Sequence, residues 1–178
     1  LLIAYKRINI NAKAGYNDQY SDTALHVAVK HANLEIIKLL IADERTDLNA
    51  RAGYNNPYGD TALHVAVKHA NLEIITLLIA NERTDLNAKD KEGYTALHIA
   101  MRKNNPKIVK LLIANQRTDL NATSNYFGMT ALHYAVQRRD HYADQRRDLE
   151  IIKLLIADER TDINAKSDYG ETALHYAV

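Results

Sequence analysis

The chain has 178 residues, of which 47% are hydrophobic and 25% charged, and its formal net charge is +1. This is the composition of a folded globular protein. A near-neutral charge argues against a dedicated nucleic-acid or membrane-surface binder, because both classes concentrate Lys and Arg. The chain has no Cys, which excludes disulfides and thiolate metal sites. No stretch resembles a signal peptide or a membrane span, and we expect a cytoplasmic protein.

Three short motifs recur together along the chain. TALH begins at residues 23, 61, 95, 130 and 172, LLIA at residues 1, 39, 77, 111 and 154, and NA at residues 11, 49, 87, 121 and 164. The distance from TALH to LLIA is 16 residues in three cycles and 24 in the fourth, whereas the distance from NA to TALH varies between 8 and 12. The first segment is therefore predicted to be a fixed structural unit with one insertion, and the second a connecting loop.

The fixed unit predicts two short helices. In the first cycle, Thr23 is a suitable N-cap for one helix, and Leu34, Ile37 and Leu40 lie at helical spacing in the other. The connector NAKDKEGYT, at residues 87–95, is rich in Asn, Asp and Gly and therefore ends the helical segment. A lone pair of such short helices cannot bury its apolar face, so successive copies are predicted to stack on one another.

These motifs resemble the ankyrin repeat, in which a Gly-containing turn precedes TPLH, followed by LEIVxLLL and DVNA. The third cycle matches best, with Asp90, Gly93, TALHIA from Thr95, KIVKLLIA from Lys107 and TDLNA from Thr118. The resemblance covers essentially the whole chain. It implies an all-α fold, an ankyrin-type solenoid of stacked helix-turn-helix repeats. In that fold the connectors project as β-hairpin fingers, the first helices line a concave face and the second helices form the convex back.

The recurrences predict a single array over residues 1–178. It comprises the end of a truncated repeat at 1–12, four full repeats at 13–50, 51–88, 89–122 and 123–165, and the start of a further repeat at 166–178. Neither end carries a polar capping repeat, so we expect a window from a longer array with apolar end surfaces. The expected state is a monomer that can make end-to-end contacts through these uncapped ends.

Two departures from the family pattern affect the turns between helices. Ala32, Ala70 and Asn104 stand where the family has Gly. If the backbone there is left-handed, Ala costs about 1 kcal/mol relative to Gly. In the fourth cycle QRRD begins at both Gln137 and Gln145, which indicates an eight-residue duplication that should bulge at the interhelical turn.

No catalytic, metal or cofactor site is predicted. Five of the eight His residues lie in TALH, and the family resemblance gives them a structural role, hydrogen bonding around the Thr cap and to the adjoining repeat. The three Ser residues all lie in connectors and outside any G-x-S-x-G turn. There is no H-E-x-x-H motif and no Gly-rich phosphate loop. We therefore predict no enzyme activity in this chain.

The finger tyrosines are candidates for binding a partner. Exposed connectors usually avoid large aromatic residues, whereas binding loops favour Tyr. Seven of the eleven Tyr residues lie in fingers: Tyr16, Tyr20, Tyr54, Tyr58, Tyr94, Tyr126 and Tyr169. The alternative is that these rings pack on their own hairpin or on a neighbouring finger.

A second candidate set lies just before the interhelical turns. In a stacked array these residues should form a basic row along the concave face, suited to an acidic or phosphorylated partner. The row contains Lys30, His31, Lys68, His69, Arg102, Lys103 and Arg138, with the neutral Gln137 beside the last. The alternative is a solvated face that keeps the protein in solution.

The sequence therefore predicts a protein-protein interaction module that binds a partner protein through its fingers and concave helix face. A nucleic-acid or membrane partner is not expected. Two alternatives stay open. The array could recruit or regulate within a larger enzyme or secreted effector, active in host cytoplasm, whose catalytic domain lies outside this chain, or it could be a purely structural spacer.

Overall fold

The computed structural model describes residues 8–14, 22–52, 58–137 and 145–177. The chain divides into two compact units, Leu1–Lys91 and Glu92–Val178. Both units are built mainly from short helices that follow one another in pairs, which confirms the predicted fold class. Within the described ranges, every helix is too short or too polar to cross a lipid bilayer.

The first unit contains a short strand pair and two helix pairs. Strands β1 (Lys13–Ala14) and β2 (Asp22–Thr23) are antiparallel, with Lys13 opposite Thr23. The helices that follow are α1 (Ala24–Lys30), α2 (Leu34–Ala42), α3 (Ala62–Lys68) and α4 (Leu72–Ala80).

The second unit continues the same alternation. Its helices are α5 (Ala96–Arg102), α6 (Pro106–Ala114), α7 (Ala131–Val136), α8 (Gln145–Ala157) and α9 (Ala173–Tyr176). An isolated antiparallel bridge between Lys166 and Thr172 closes the connector before α9.

Side chains in the sequence motifs set the helix boundaries. Each Thr of TALH donates its backbone N–H to Nδ1 of the His three residues later, at 3.1 to 3.3 Å. In the first three pairs the second helix begins at an Asn whose side chain accepts the N–H three residues on. Between the paired helices, Ala32 (φ 52°), Ala70 (φ 54°) and Asn104 (φ 50°) have left-handed backbones. The predicted energetic cost of Ala in a left-handed turn therefore applies at Ala32 and Ala70.

Like helices pack against like helices within each unit. In the first unit α1 contacts α3 and α2 contacts α4, and in the second α5 and α9 each contact α7, while α6 contacts α8. The apolar side chains lie in these contacts, as Ile74, Ile75 and Leu78 of α4 show with no exposed surface. This confirms that neighbouring copies bury one another's apolar faces.

At three of the NA motifs, the Asn side-chain amide joins one repeat to the next. Asn49 Nδ2 donates to Arg83 O at 2.8 Å, and Asn49 Oδ1 accepts from the backbone N–H of Asp85 at 2.8 Å. Asn11 and Asn121 make the corresponding two bonds at their own positions. Because one amide satisfies both a carbonyl and an N–H of the following turn, it fixes the register between repeats.

The fourth helix pair differs from the others. α7 ends one residue earlier in its repeat than α1, α3 and α5 do, and α8 begins at Gln145, four residues before Leu149, which aligns with Leu34. Part of the duplicated segment thus lengthens the second helix at its N-terminus. The rest of the predicted bulge, residues 138–144, lies outside the described residues.

Candidate functional site

A backbone hydrogen bond that recurs between successive fingers determines which residue lies at the tip of each one. The residue three positions before the Thr of TALH gives its carbonyl to a backbone N–H of the following finger. The three such bonds are Lys91 N to Tyr58 O at 2.6 Å, Asn125 N to Glu92 O at 3.1 Å and Asp168 N to Phe127 O at 2.9 Å. The next residue in each finger is a Gly with φ between 60° and 78°. The tip position therefore holds Tyr58, Glu92, Phe127 and Tyr169 in successive fingers.

In the first unit, the tip residue Tyr58 already has a cation on its ring. Tyr58 is 42% exposed, and Lys68 Nζ lies 4.5 Å from its ring centroid. The same ammonium is 2.7 and 2.8 Å from the two carboxylate oxygens of Asp60, whose side chain is 1% exposed. The arrangement is a triad of aromatic ring, cation and carboxylate within one repeat.

Tyr94, predicted as a binding residue, is instead part of the core of the second unit. It is 5% exposed, and its ring contacts His98 and Tyr134, each at a centroid distance of 6.2 Å. Burial raises the pKa of the Tyr94 hydroxyl, with a further contribution from its hydrogen bond with Tyr134. Tyr94 lies one residue before Thr95, a position that faces inward, and this register explains why the prediction of an exposed ring is wrong.

The second unit carries an exposed aromatic tip, which we define as Tyr126, Phe127 and Tyr169. Their exposed fractions are 60%, 38% and 66%. The Tyr126 and Phe127 ring centroids are 4.6 Å apart at an interplanar angle of 78°, and those of Phe127 and Tyr169 are 5.3 Å apart at 35°. Two adjacent fingers thus combine their rings into one patch, a concentration of apolar surface that typically marks an interaction site.

Phe127 is the residue that the sequence analysis missed. Its backbone is left-handed, with φ 64°, a conformation that costs a bulky residue roughly 1 to 2 kcal/mol. Two signals were available: Phe127 is the chain's only Phe, and it stands before a Gly at the tip position. Of the other finger candidates, Tyr16, Tyr20 and Tyr54 lie outside the described residues.

Much of the basic row is paired with carboxylates of the fingers. Lys30 forms an ion pair with Asp22, as Lys68 does with Asp60. Arg102 stacks over the Tyr94 ring at 4.4 Å and lies 3.9 Å from Glu92. These cations are therefore less available to an acidic partner than the sequence suggested. His31, His69 and Lys103 are exposed, and Arg138 lies outside the described residues.

The His residues of TALH have the predicted structural role. His26 Nε2 lies 3.0 Å from Asp60 O and His98 Nε2 3.1 Å from Met129 O, so each ring reaches the following repeat. A carbonyl only accepts, so Nε2 carries the proton and Nδ1 is left to accept from Thr. Burial, the largest influence, lowers the pKa of His26. Over the described part of the chain, no three His, Asp or Glu side chains are placed to hold a metal ion.

Comparisons with known proteins agree with this architecture. The family model described as ankyrin repeats (3 copies) matches residues 1–90, 69–143 and 119–178. A search of curated protein sequences gave no match. One similar solved structure is the crystal structure of the ankyrin repeat domain of Bcl-3, a unique member of the IkappaB protein family. It is 29% identical to this chain with a TM-score of 0.73, over 92% of this chain and 68% of that one.

Proposed function

Because this chain belongs to the ankyrin repeat family, whose repeats are generally non-catalytic modules for protein-protein interaction, we propose that it binds a partner protein through its fingers and first-helix face. The exposed aromatic tip carries this proposal. Elsewhere in the described fingers, an aromatic ring already holds a cation of its own repeat, as Tyr58 does, or is buried, as Tyr94 is. The tip leaves three adjoining rings in contact with solvent.

Backbone strain supports the same assignment. Gly or Asn would occupy the left-handed position of Phe127 at lower energy, so stability alone does not account for Phe there. Strained residues that persist in a fold often belong to binding sites. Tyr and Phe also offer a large contact area with few rotors to immobilise on binding, which reduces the entropic cost of association.

The ends of the first helices provide a second contact region in this proposal. His31, His69 and Lys103 are exposed just before the interhelical turns, where they suit an acidic part of the partner. Lys30 and Lys68 are poor probes of this region because each neutralises a finger carboxylate. Replacing Lys68 would leave the buried Asp60 without its cation and destabilise the fold.

The proposal is tested by affinity capture from the chain's native cell extract, followed by measurement of the dissociation constant for each captured protein. The test variant is Tyr126→Ser/Phe127→Asn/Tyr169→Ser, in which Asn keeps the left-handed backbone accessible. We expect partners of the unaltered chain to bind the variant at least about 10-fold more weakly, as loss of clustered aromatic anchors usually produces.

A matched control removes exposed apolar surface elsewhere. Leu39→Ser/Ile156→Ser replaces second-helix residues that are 40% and 56% exposed, and it should retain the partners. If the tip variant keeps the same partners with unchanged dissociation constants, the fingers of the second unit are not the binding surface. Loss of binding in both variants would indicate nonspecific apolar adhesion.

A further inference from the structure

We propose that the aromatic tip formed by Tyr126, Phe127 and Tyr169, together with the carboxylate of Asp168, binds an arginine side chain presented by the partner protein. This inference rests on the proposed function, because it specifies the chemistry of the partner at that surface.

In two repeats of this chain, a cation lies over an aromatic ring of the finger and also pairs with a carboxylate. In one, Lys68 lies over the ring of Tyr58 and pairs with Asp60. In another, the Arg102 guanidinium lies over the ring of Tyr94 and pairs with Glu92. Both cations occupy the seventh position after the Thr of TALH. A cation over a ring face is attracted by the ring quadrupole, and a nearby carboxylate adds to that attraction.

The fourth repeat has the ring without this cation. The seventh position after Thr130 is Gln137, a neutral residue, while the tip position holds Phe127. In the portions of the chain that the structure describes, no Lys or Arg lies over the rings of the aromatic tip. The tip therefore has aromatic rings of the kind that hold a cation elsewhere in this chain, and its three residues are 38% to 66% exposed.

A carboxylate stands beside these rings. Asp168 donates its backbone N–H to Phe127 O at 2.9 Å. Its Oδ1 lies so close to the turn that a Cβ added to Gly128 would approach it within 2.3 Å. Asp168 is exposed and immediately precedes Tyr169. Among the described residues, none forms an ion pair with Asp168.

The chemistry favours arginine over other side chains. A guanidinium is planar and weakly hydrated, so it stacks on aromatic faces while its N–H groups donate to a carboxylate. The tip offers both features side by side. An acidic segment would instead meet Asp168 with like charge, and a purely apolar segment would bury that carboxylate unpaired.

The first test uses two synthetic peptides and the full chain. One peptide carries two arginines in a Gly/Ser background, and in the other each arginine is replaced by citrulline, which keeps the shape but is neutral. NMR titration should show the backbone amides of residues 126–128 and 168–170 shifting with the arginine peptide. We expect the citrulline peptide to bind about 5- to 20-fold more weakly, and added salt to weaken only the arginine peptide.

Two variants identify the contacts. Phe127→Leu keeps the bulk and the same backbone demand but removes the ring, and Asp168→Asn removes the charge, so each should weaken the arginine peptide by about 2- to 5-fold. Tyr58→Leu is the matched control, because the Tyr58 ring already holds Lys68. This variant should bind the arginine peptide with the same affinity as the unaltered chain. Equal binding of both peptides, or no shift at the tip with either peptide, would overturn the inference.

The result also separates this inference from the proposed function. If the arginine peptide fails to bind while the triple tip variant still loses its protein partners, the tip is an interaction surface of different chemistry and only the arginine inference is wrong. If the peptide binds as expected while the triple variant keeps every partner, the tip binds arginine but the proposed partner surface is wrong.

Discussion

In the first two helix pairs, the turn between the helices stores strain in a single residue. Ala32 has φ 52° and Ala70 has φ 54°. Gly enters this left-handed region without a steric penalty from Cβ. The family pattern has Gly at this position, and the packing of the helix pair evidently imposes the left-handed turn on Ala as well. The strain is local, so a single substitution should relieve it.

Ala70→Gly is expected to raise the free energy of unfolding by roughly 0.5 to 1 kcal/mol, the relief of the left-handed Ala less the added flexibility of Gly in the unfolded chain. Urea denaturation measures the change. The matched control, Ala80→Gly, places the same substitution at the exposed end of α4, where it should lower stability by up to about 1 kcal/mol. Destabilisation by both would show that the turn is not strained.

The buried His26 makes folding sensitive to acid. Its pKa is held below 6.5 by burial, so between the two pKa values the unfolded chain binds more protons than the folded chain. The stability that neutral His26 contributes is therefore fully present above about pH 6.5 and decreases as the pH falls toward the folded-state pKa.

Urea denaturation across pH 5 to 8 checks this expectation, with the free energy of unfolding falling below about pH 6.5. In His26→Gln, a variant that cannot take up the proton, the slope of unfolding free energy against pH should be shallower by up to about 1.4 kcal/mol per pH unit. An identical slope in the two proteins would refute the assignment.

At the scale of the element, the finger that contains Gly93 is closely approached by the next finger. Gly93 and Gly170 have nearly the same backbone, with φ 78° and 76°, but different surroundings. A Cβ on Gly93 would lie 2.4 Å from the backbone N of Asn125, whereas a Cβ on Gly170 would meet nothing within 4 Å. The pair separates backbone strain from the contact between fingers.

Gly93→Ala and Gly170→Ala should both be destabilising, because both force Ala into a left-handed turn at a cost of about 1 kcal/mol. We expect Gly93→Ala to cost about 1 to 3 kcal/mol more, since the Asn125 backbone must move and overpacking of this kind carries that penalty. Thermal denaturation of the two variants gives the comparison. Equal losses would mean that the fingers adjust freely.

At the scale of the whole molecule, identical segments have different surroundings. TALHVAVKHANLEII begins at both Thr23 and Thr61, yet Ile36 is 39% exposed and Ile74 is completely buried. Although α2 contacts α4, Ile36 is exposed, so Ile36 does not face α4. Ile74 occupies the same place on α4 as Ile36 does on α2. The face of α4 that carries Ile74 is therefore the one directed at α2. Stacking therefore decides what each copy of the same residue contributes to stability.

Ile74→Ala is expected to cost about 2 to 5 kcal/mol, the range for truncating a fully buried Ile. Ile36→Ala, in the same local sequence, should cost less than about 1.5 kcal/mol because much of that side chain remains in water. Chemical denaturation of both variants tests the difference. Similar losses would indicate that local sequence, and not stacking, sets the energy of this position.

The sequence by itself determined the helix pairs, their Thr caps and the need for stacking. These features depend on residue type and on spacings of a few positions, as in Thr23 with His26, and each recurs along the chain. The structural role of the TALH histidines was implied by the resemblance to the ankyrin repeat. The recurring motifs were sufficient to identify the family resemblance without any knowledge of tertiary contacts.

Only the tertiary structure decided which finger residues are accessible. Tyr94 and Tyr126 both looked like exposed loop aromatics, but the first faces inward beside Tyr134 and the second lies in solvent. Lys68 looked like a free cation until its ion pair with Asp60 was seen. The physical reason is that exposure and charge pairing in a finger arise from contacts with the rest of its own repeat and with its neighbours. The residue composition of a connector indicates neither the contacts within its own repeat nor those with neighbouring repeats.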